Sequence, residues 1–214
     1  MSLQGQLEDL KRRIRLLVPA SRVALVDGAV ERLKQSGIAE RAAKVGDALP
    51  AFELQDAHGK LVQSSGFLTS GPLIVTFYRG RWCPYCIAAL ESWKSVYTRI
   101  EMCGAALVAI SPQTVRHSAF MQSQHGFPFP VLSDPENTVA RQFGIVYRLA
   151  PELVEHYRSI FINLENVNGD KSWELPIPAT FVLRQNGVVS YASVDPDFTL
   201  RAEPEEILRL IAHA

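Results

Sequence analysis

Two cysteines, Cys83 and Cys86, stand where a strand pattern changes into a helix pattern. The apolar run from Leu73 to Tyr78 is typical of a buried strand, and apolar residues recur at helical spacing after Pro84. Proline suits the first position of a helix, because it lacks an N–H that would have no partner there. The CxxC pair is therefore predicted at a strand-to-helix junction, with both sulfurs near a helix N-terminus.

This position favours redox chemistry, because the reactive form of cysteine is the thiolate. The positive end of a helix and the nearby charges of Arg79 and Arg81 would stabilise the anion. Cysteines in such places have pKa values of roughly 3.5–7.5, against about 8.5 for a free thiol. The alternatives are half of a zinc site or two ordinary buried cysteines. Neither explains a CxxC between strand and helix, and the five histidines are scattered, so no metal site is predicted.

Composition narrows the class of protein. The chain has 214 residues, 47% of them hydrophobic, and a formal net charge of zero, so it can bury a substantial core and shows no overall preference for nucleic acid or an anionic membrane. Three cysteines do not make a disulfide framework, which favours a reducing compartment. The first residues lack a signal-peptide pattern, and no apolar stretch approaches the roughly 20 residues of a membrane span. We expect a cytoplasmic protein with no membrane partner.

Residues 1–43 are predicted to form an N-terminal helical extension of two amphipathic helices. Apolar residues recur at three- and four-residue intervals before Pro19, and again between Val23 and Gly37. Neither helix carries residues of obvious chemistry. We interpret the extension as a packing element, with a partner-binding or dimerising arm as the alternative.

Residues 44–214 are predicted to form one α/β domain. A strand, the helix after the CxxC pair and the apolar run at 105–111 make a βαβ unit, and Asn186 with Gly187 marks a hairpin between two late strands. The final helix completes a central mixed sheet flanked by helices. The prolines of FPFPVLSD indicate an extended segment at a sheet edge. We expect residues 150–172 to be an irregular insertion that begins with helical spacing.

Four separated segments resemble a known family: GDALPAFELQDAHGKLV, VTFYRGRWCPYC, VAISPQTVRHSAFMQSQHGFPFPVLSDPENTVARQFGI and PIPATFVLRQNGVV. They are similar to the peroxiredoxin-like branch of the thioredoxin superfamily, the alkyl hydroperoxide reductase and thiol-specific antioxidant group. The resemblance covers roughly residues 44–212. It implies a thioredoxin-like fold and a thiol peroxidase that needs no cofactor.

Two motifs from relatives assign the cysteines differently. The peroxiredoxin motif PxxxTxxC places its proline, threonine and attacking cysteine on Arg79, Cys83 and Cys86, which makes Cys86 the peroxidatic residue. The thioredoxin motif WCxxC matches Trp82, Cys83 and Cys86, and there the first cysteine attacks. The resemblance therefore leaves either sulfur as the nucleophile.

The two relatives differ again at the segment PIPATFV. Peroxiredoxins have an arginine just ahead of this strand, whereas thioredoxin-like proteins have a cis proline that faces the sulfurs. This chain has Pro178 there, and X-Pro bonds are the ones in which the cis form costs little. We expect Pro178 to be such a proline. Arg79 or Arg81 would then supply the missing charge, with Arg184 and Arg201 as outside candidates.

The predicted site therefore has Cys83, Cys86, Arg79 and Pro178 as catalytic residues. A substrate-binding role is assigned to the flanking residues Arg81, Trp82 and Tyr85. Cys103, at the expected end of the helix, is interpreted as a turn residue.

The predicted function is an antioxidant thiol peroxidase that reduces hydroperoxides through a dithiol/disulfide cycle. Thioredoxin or another thiol would be the reductant. The alternatives are a thiol-disulfide oxidoreductase and a redox sensor without turnover. The exposed edges and the N-terminal helices are compatible with a homodimer.

Overall fold

The computed structural model describes residues 2–212 and is built on a seven-stranded sheet with helices on both faces. The strands are β1 Glu53–Asp56, β2 Leu61–Gln63, β3 Leu73–Phe77, β4 Ala106–Ser111, β5 Val131–Ser133, β6 Val146–Arg148, β7 Glu174–Pro176, β8 Ala179–Leu183 and β9 Val189–Val194. The α-helices are α1 Leu3–Leu17, α2 Ala20–Gln35, α3 Ile38–Arg41, α4 Ser64–Leu68, α5 Pro84–Met102, α6 Val115–His125, α7 Thr138–Gln142, α8 Pro151–Ser159, α9 Leu164–Asn168 and α10 Pro204–Ala212. A 3₁₀ turn, Pro135–Asn137, precedes α7.

The sheet has the strand order β2-β1-β5-β4-β3-β8-β9, while β6 and β7 form a separate two-stranded ribbon. Strands β3, β4 and β5 are parallel, and α5 connects β3 to β4. The other pairs in the sheet are antiparallel, including the β8–β9 hairpin, whose turn contains Gly187 at φ 77°. The predicted βαβ unit, the hairpin and the mixed central sheet are therefore confirmed.

Strand β3 divides the core between the two faces of the sheet. Ile74 and Tyr78 belong to the cluster packed against α1, α5 and α10, whereas Val75 and Phe77 belong to the cluster on the opposite face. Successive side chains of a strand point to opposite faces, so a strand covered on both sides reads as a continuous apolar run. This explains the run that precedes the CxxC pair.

The prediction that FPFPVLSD lies at a sheet edge is wrong. Strand β5 lies inside the sheet, between β1 and β4. Pro128 and Pro130 precede the strand, so neither removes a donor from its ladder, and the Pro130 carbonyl accepts a hydrogen bond from the Ala109 N–H at 3.0 Å. Because both prolines lie before the first residue of β5, they do not prevent the strand from pairing on both sides.

The prediction of an irregular insertion is also wrong for Leu164–Asn168, which form helix α9. Helix α8 begins at Pro151, in the first helical position, as the spacing indicated. Helix α9 follows, with Asn163 as its N-cap, whose side-chain oxygen accepts from the Asn166 N–H at 3.2 Å. The polar residues interpreted as loop therefore include a helix cap.

The first N-terminal helix packs onto the domain. Leu3 and Leu7 of α1 are buried in the cluster that also contains α5 and α10. The carboxylate of Glu203 accepts hydrogen bonds from the Leu3 and Gln4 N–H groups at 3.0 and 2.7 Å. A carboxylate at a helix N-terminus satisfies free donors and complements the helix dipole. The segment ahead of α10 is thus fastened to the start of α1.

Within residues 2–212, no helix is long and apolar enough to cross a membrane.

Replacing Leu7 tests whether α1 is part of the folded domain. Leu7 is fully buried, so Leu7→Ala removes packing and leaves a cavity, which typically costs about 2–5 kcal/mol. We expect urea denaturation to show a loss of free energy of unfolding in that range. Leu16→Ala on the same helix is the matched control, because Leu16 is 81% exposed and should change stability by less than about 0.5 kcal/mol. Equal stability of the two variants would contradict the packing role.

Candidate active site

The dithiol lies at the junction that the sequence predicted. Cys83 is the N-cap of α5, Pro84 is its first residue, and Cys86 lies in its first turn. The chain reaches this point through Gly80 at φ 146°, where a Cβ atom would approach the Trp82 indole nitrogen to 2.6 Å. A side chain at position 80 would therefore displace Trp82 or open the turn. Glycine lets the chain fold tightly between the strand and the helix.

Both sulfurs are fully buried and are contacted by Arg79. Its guanidinium Nη2 donates to Cys83 Sγ at 3.1 Å, and its backbone N–H donates to Cys86 Sγ at 3.4 Å. Arg79 is itself only 3% exposed. A buried cation is costly unless it has a partner, so the site combines a desolvated arginine with the groups that can carry a compensating negative charge.

A second arginine, Arg201, reaches Cys86 from the loop between β9 and α10. Its Nη2 donates to Cys86 Sγ at 3.5 Å, and its Nε donates to the Phe198 carbonyl at 2.8 Å, which fixes the direction of the side chain. The sequence offered Arg201 only as an outside candidate. Arg201 lies 115 residues after Cys86 in the chain, so no local sequence pattern could indicate its contact with the sulfur.

The surroundings of Cys86 favour its thiolate. Burial alone would raise its pKa, but the hydrogen bond with Cys83 and the charges of Arg201 and Arg79 together hold the pKa of Cys86 well below that of an ordinary thiol. Its position in the first turn of α5 adds the favourable end of the helix dipole.

The surroundings of Cys83 raise its pKa and so favour the protonated thiol. Burial is the largest cause that raises its pKa, and the proton that it shares with Cys86 adds to the effect, while Arg79 opposes it. The short contact between Arg79 and Cys83 would by itself favour a thiolate on Cys83. Cys86 nevertheless receives both a second cation and a backbone donor, so we assign the negative charge to Cys86 and the proton to Cys83.

Aromatic side chains enclose the Arg79 guanidinium. Its Cζ atom lies 3.8 Å from the centre of the Phe198 ring and 5.1 Å from that of Trp82. Its Nη1 donates to the Tyr157 hydroxyl oxygen at 3.3 Å. Burial raises the pKa of Tyr157, so this tyrosine is a neutral partner. Tyr157 and Phe198 come from helix α8 and from the loop after β9, and the sequence gave no sign of either.

Arg81 and Arg184, the other candidates, do not contact the sulfurs. Arg81 donates through Nε to His117 Nδ1 at 3.0 Å, and its guanidinium lies over the Phe120 ring. Arg184 lies at the β8–β9 turn. Cys103 follows the last residue of α5, about 25 Å beyond Cys86 at a rise of about 1.5 Å per residue.

Trp82 and Tyr85 flank the dithiol as predicted, and both line the same cavity as Arg79. In the described residues, no three His, Cys, Asp or Glu side chains form a group that could hold a metal ion.

Pro178 is buried, but its peptide bond is not cis, because residues 2–212 contain no cis peptide bond. The expectation of a cis proline is therefore wrong. The chain runs extended from β7 into β8, and Ile177 donates its N–H to the Ile145 carbonyl at 2.7 Å, so an extended trans bond fits the path. Pro178 lines a small cavity with Thr76, Ala89 and Arg201. Ala89 lies about one helical turn after Cys86 in α5.

The parallel βαβ core and a dithiol at the start of its helix are the features of a thiol-redox protein with a thioredoxin-like fold. Residues 45–192 match the AhpC/TSA family. The chain belongs to this family.

Relatives agree with this assignment. A relative from Mycobacterium tuberculosis that is named as a peroxiredoxin is 32% identical over 119 residues, which cover 56% of this chain and 77% of the relative. The chloroplastic peroxiredoxin Q of Triticum aestivum is 29% identical over 177 residues, which cover 82% of this chain and 70% of that relative. The predicted class, a thiol-dependent peroxidase, is confirmed.

Solved structures show the same fold. The crystal structure of the peroxidoxin BcpB from Mycobacterium tuberculosis has a TM-score of 0.62 and 23% identity, and the match covers 80% of this chain and 97% of that one. Peroxiredoxin Q from Xanthomonas campestris has a TM-score of 0.57 and 18% identity, with coverage of 76% and 90%.

Removing Arg201 should make the Cys86 thiolate less stable. In a background with Cys83→Ser and Cys103→Ser, Arg201→Gln should raise the pKa of Cys86, and each unit lowers the thiolate fraction about tenfold below that pKa. We expect alkylation by iodoacetamide at pH 7 to slow by at least about tenfold, and the difference to disappear above the pKa of the variant.

Arg201→Lys keeps the charge and should restore part of the rate, while Arg184→Gln removes an arginine far from the sulfurs and should have no effect. A pH profile of alkylation that is identical with and without Arg201 would contradict its action on Cys86.

Proposed function

We propose that Cys86 is the peroxidatic cysteine of a thiol peroxidase cycle and Cys83 is the resolving cysteine. The observation that carries this proposal is the convergence of Arg201, the Arg79 N–H and the Cys83 thiol on the single sulfur of Cys86. A thiolate stabilised at neutral pH is the species that attacks a peroxide.

In the first step, the Cys86 thiolate attacks the terminal oxygen of the hydroperoxide ROOH. The O–O bond breaks, Cys86 becomes a sulfenic acid, and the RO⁻ leaving group takes up a proton to depart as ROH. Sulfur is oxidised by two electrons and the peroxide is reduced by two. The guanidinium groups of Arg79 and Arg201 would stabilise the negative charge that moves from sulfur to oxygen.

In the second step, the Cys83 thiol condenses with the sulfenic acid, which releases water and forms the Cys83–Cys86 disulfide. The two residues are an N-cap and a residue of the first turn. Residues three apart on a helix have Cα atoms about 5 Å apart, which lies in the range that a disulfide spans. Resolution therefore needs no large rearrangement of α5.

In the third step, an external thiol reductant attacks the disulfide and restores both thiols, and we propose thioredoxin as the reductant. Such a cycle needs a supply of thiol reductant, and we propose the cytoplasm as its compartment. A homodimer would cover the edge strand β2, where Leu61 is 58% exposed.

General disulfide exchange is less well supported as the main activity. An attacking thiol must be reached by its disulfide substrate, yet both sulfurs are fully buried. A hydroperoxide group is much smaller than a protein disulfide with its flanking chain, so burial of the reduced sulfurs hinders it less.

Single cysteine variants test the assignment of roles. Cys83→Ser should form a stable sulfenic acid on Cys86 with one equivalent of hydrogen peroxide, because the thiolate remains and the resolving thiol is gone. Cys86→Ser should form little. A sulfenic-acid reagent and intact-protein mass spectrometry would detect the adduct.

Cys103→Ser is the matched control, and it should consume hydroperoxide with dithiothreitol at the parent rate. A label found in Cys86→Ser in place of Cys83→Ser would overturn the assignment and favour the thioredoxin register.

A further inference from the structure

A cavity of about 530 Å³ lies between the N-terminal helices and the segment that carries the dithiol. Helices α1 and α2 contribute apolar side chains that include Ile14, Val23 and Val30, and the opposite wall includes Trp82, Tyr85 and Phe198. Arg79, which contacts both sulfurs, also lines it. Ligand sites in proteins are commonly mostly apolar cavities of about 300–1,000 Å³ with a few polar groups.

The cavity continues beneath α2. A second cavity of about 180 Å³ shares five lining residues with it, namely Val26, Val30, Arg79, Tyr157 and Phe198. Helix α2 has no fully buried residue, because much of its apolar face borders these two spaces. The space extends in two directions from the Arg79 guanidinium.

Two of the five cationic side chains that line this cavity, those of Lys11 and Arg15, are held in ion pairs. Lys11 pairs with Asp197 at 3.4 Å, and Arg15 pairs with Asp27 at 2.7 Å. The rim is also apolar, since Leu17 and Ile160 line the cavity and are 84% and 37% exposed. Exposed apolar groups around a concave site indicate an apolar ligand or partner.

Two residues that line the cavity, Arg79 and Trp82, each have a buried donor without a hydrogen-bond partner. The Arg79 Nε and Trp82 Nε1 atoms are buried, and neither makes a hydrogen bond in the described part of the chain. Buried donors without partners are rare in native structures, and each calls for an acceptor such as ordered water or a bound group. An oxygen-bearing ligand beside Arg79 would supply an acceptor next to the dithiol.

We propose that this cavity binds the apolar body of an organic hydroperoxide, with the hydroperoxide group beside Arg79 and the dithiol. The inference rests on the proposed peroxidase cycle and adds a specificity element to it. The family match begins at residue 45, so α1 and α2, which build one wall, lie outside the matched region. The helical extension thus selects bulky apolar hydroperoxides over hydrogen peroxide, and the cavity holds the alcohol product after the O–O bond breaks.

Binding is tested without turnover in the Cys83→Ser, Cys86→Ser double variant. The probe is 2-phenyl-2-propanol, the alcohol formed from cumene hydroperoxide, titrated by isothermal calorimetry. We expect saturable binding to one site. Adding Val30→Trp, which fills the cavity, should weaken the affinity at least tenfold, whereas adding Val45→Trp should not, because Val45 is 63% exposed and does not line the cavity.

Kinetics then test selectivity in the chain with its cysteines. The ratio of kcat/KM for cumene hydroperoxide to that for hydrogen peroxide should fall at least tenfold in Val30→Trp and stay the same in Val45→Trp. Ile14→Trp fills the cavity from α1, and should lower the ratio in the same way if Val30→Trp does not fold. Circular dichroism would verify folding of each variant.

The outcomes separate the two proposals. Peroxidase activity with no saturable alcohol binding, or with an unchanged ratio in the cavity variants, would overturn the specificity element and leave the peroxidase cycle standing. Alcohol binding without activity toward any hydroperoxide would overturn the cycle and, with it, the assignment of the ligand as a hydroperoxide.

Discussion

The site depends on two arginines that surround two buried sulfurs without a carboxylate partner. In the described part of the chain, neither Arg79 nor Arg201 forms an ion pair with an acidic side chain. A buried cation needs a compensating charge or strong hydrogen bonds. The Cys86 thiolate supplies the charge, while the Tyr157 hydroxyl and the Phe198 ring supply weaker contacts. The reactive form of the cysteine is therefore also the form that stabilises its surroundings.

The N-terminal helix takes part in holding this arrangement. Lys11 donates to Asp197 and Thr199 at 3.4 and 3.2 Å, and Glu203 accepts from the first N–H groups of α1. These contacts fasten the loop on both sides of Arg201. A helix with no chemically active side chain at the sulfurs thus positions the arginine that touches Cys86. Helix α1 therefore contacts the loop that carries Arg201, and both N-terminal helices line the cavity next to Arg79.

Sequence patterns predicted the parts of the site that are local in the chain. The run before Cys83, the proline after it and the apolar spacing beyond it each depend on neighbouring residues, so the junction, the βαβ unit and Arg79 could be foreseen. Arg201, Tyr157 and Phe198 could not, because their positions follow from loop paths and helix packing across long separations. Pro178 shows the converse error, since a motif carried over from relatives implied a cis bond that the extended path from β7 to β8 does not require.

Oxidation of the dithiol removes a negative charge from the site, and this change favours the next step of the proposed cycle, reduction by an external thiol. A disulfide is neutral, so its formation removes the negative charge that Arg79 and Arg201 face. Arg79 would then be a buried cation with only neutral partners, which is costly. Outward movement of the segment would let water solvate the guanidinium, and the same movement would expose the disulfide to a thiol reductant. In the proposed cycle, the thiolate charge that faces the two arginines exists only before the peroxide reacts, so burial of the reduced dithiol does not require burial of the disulfide.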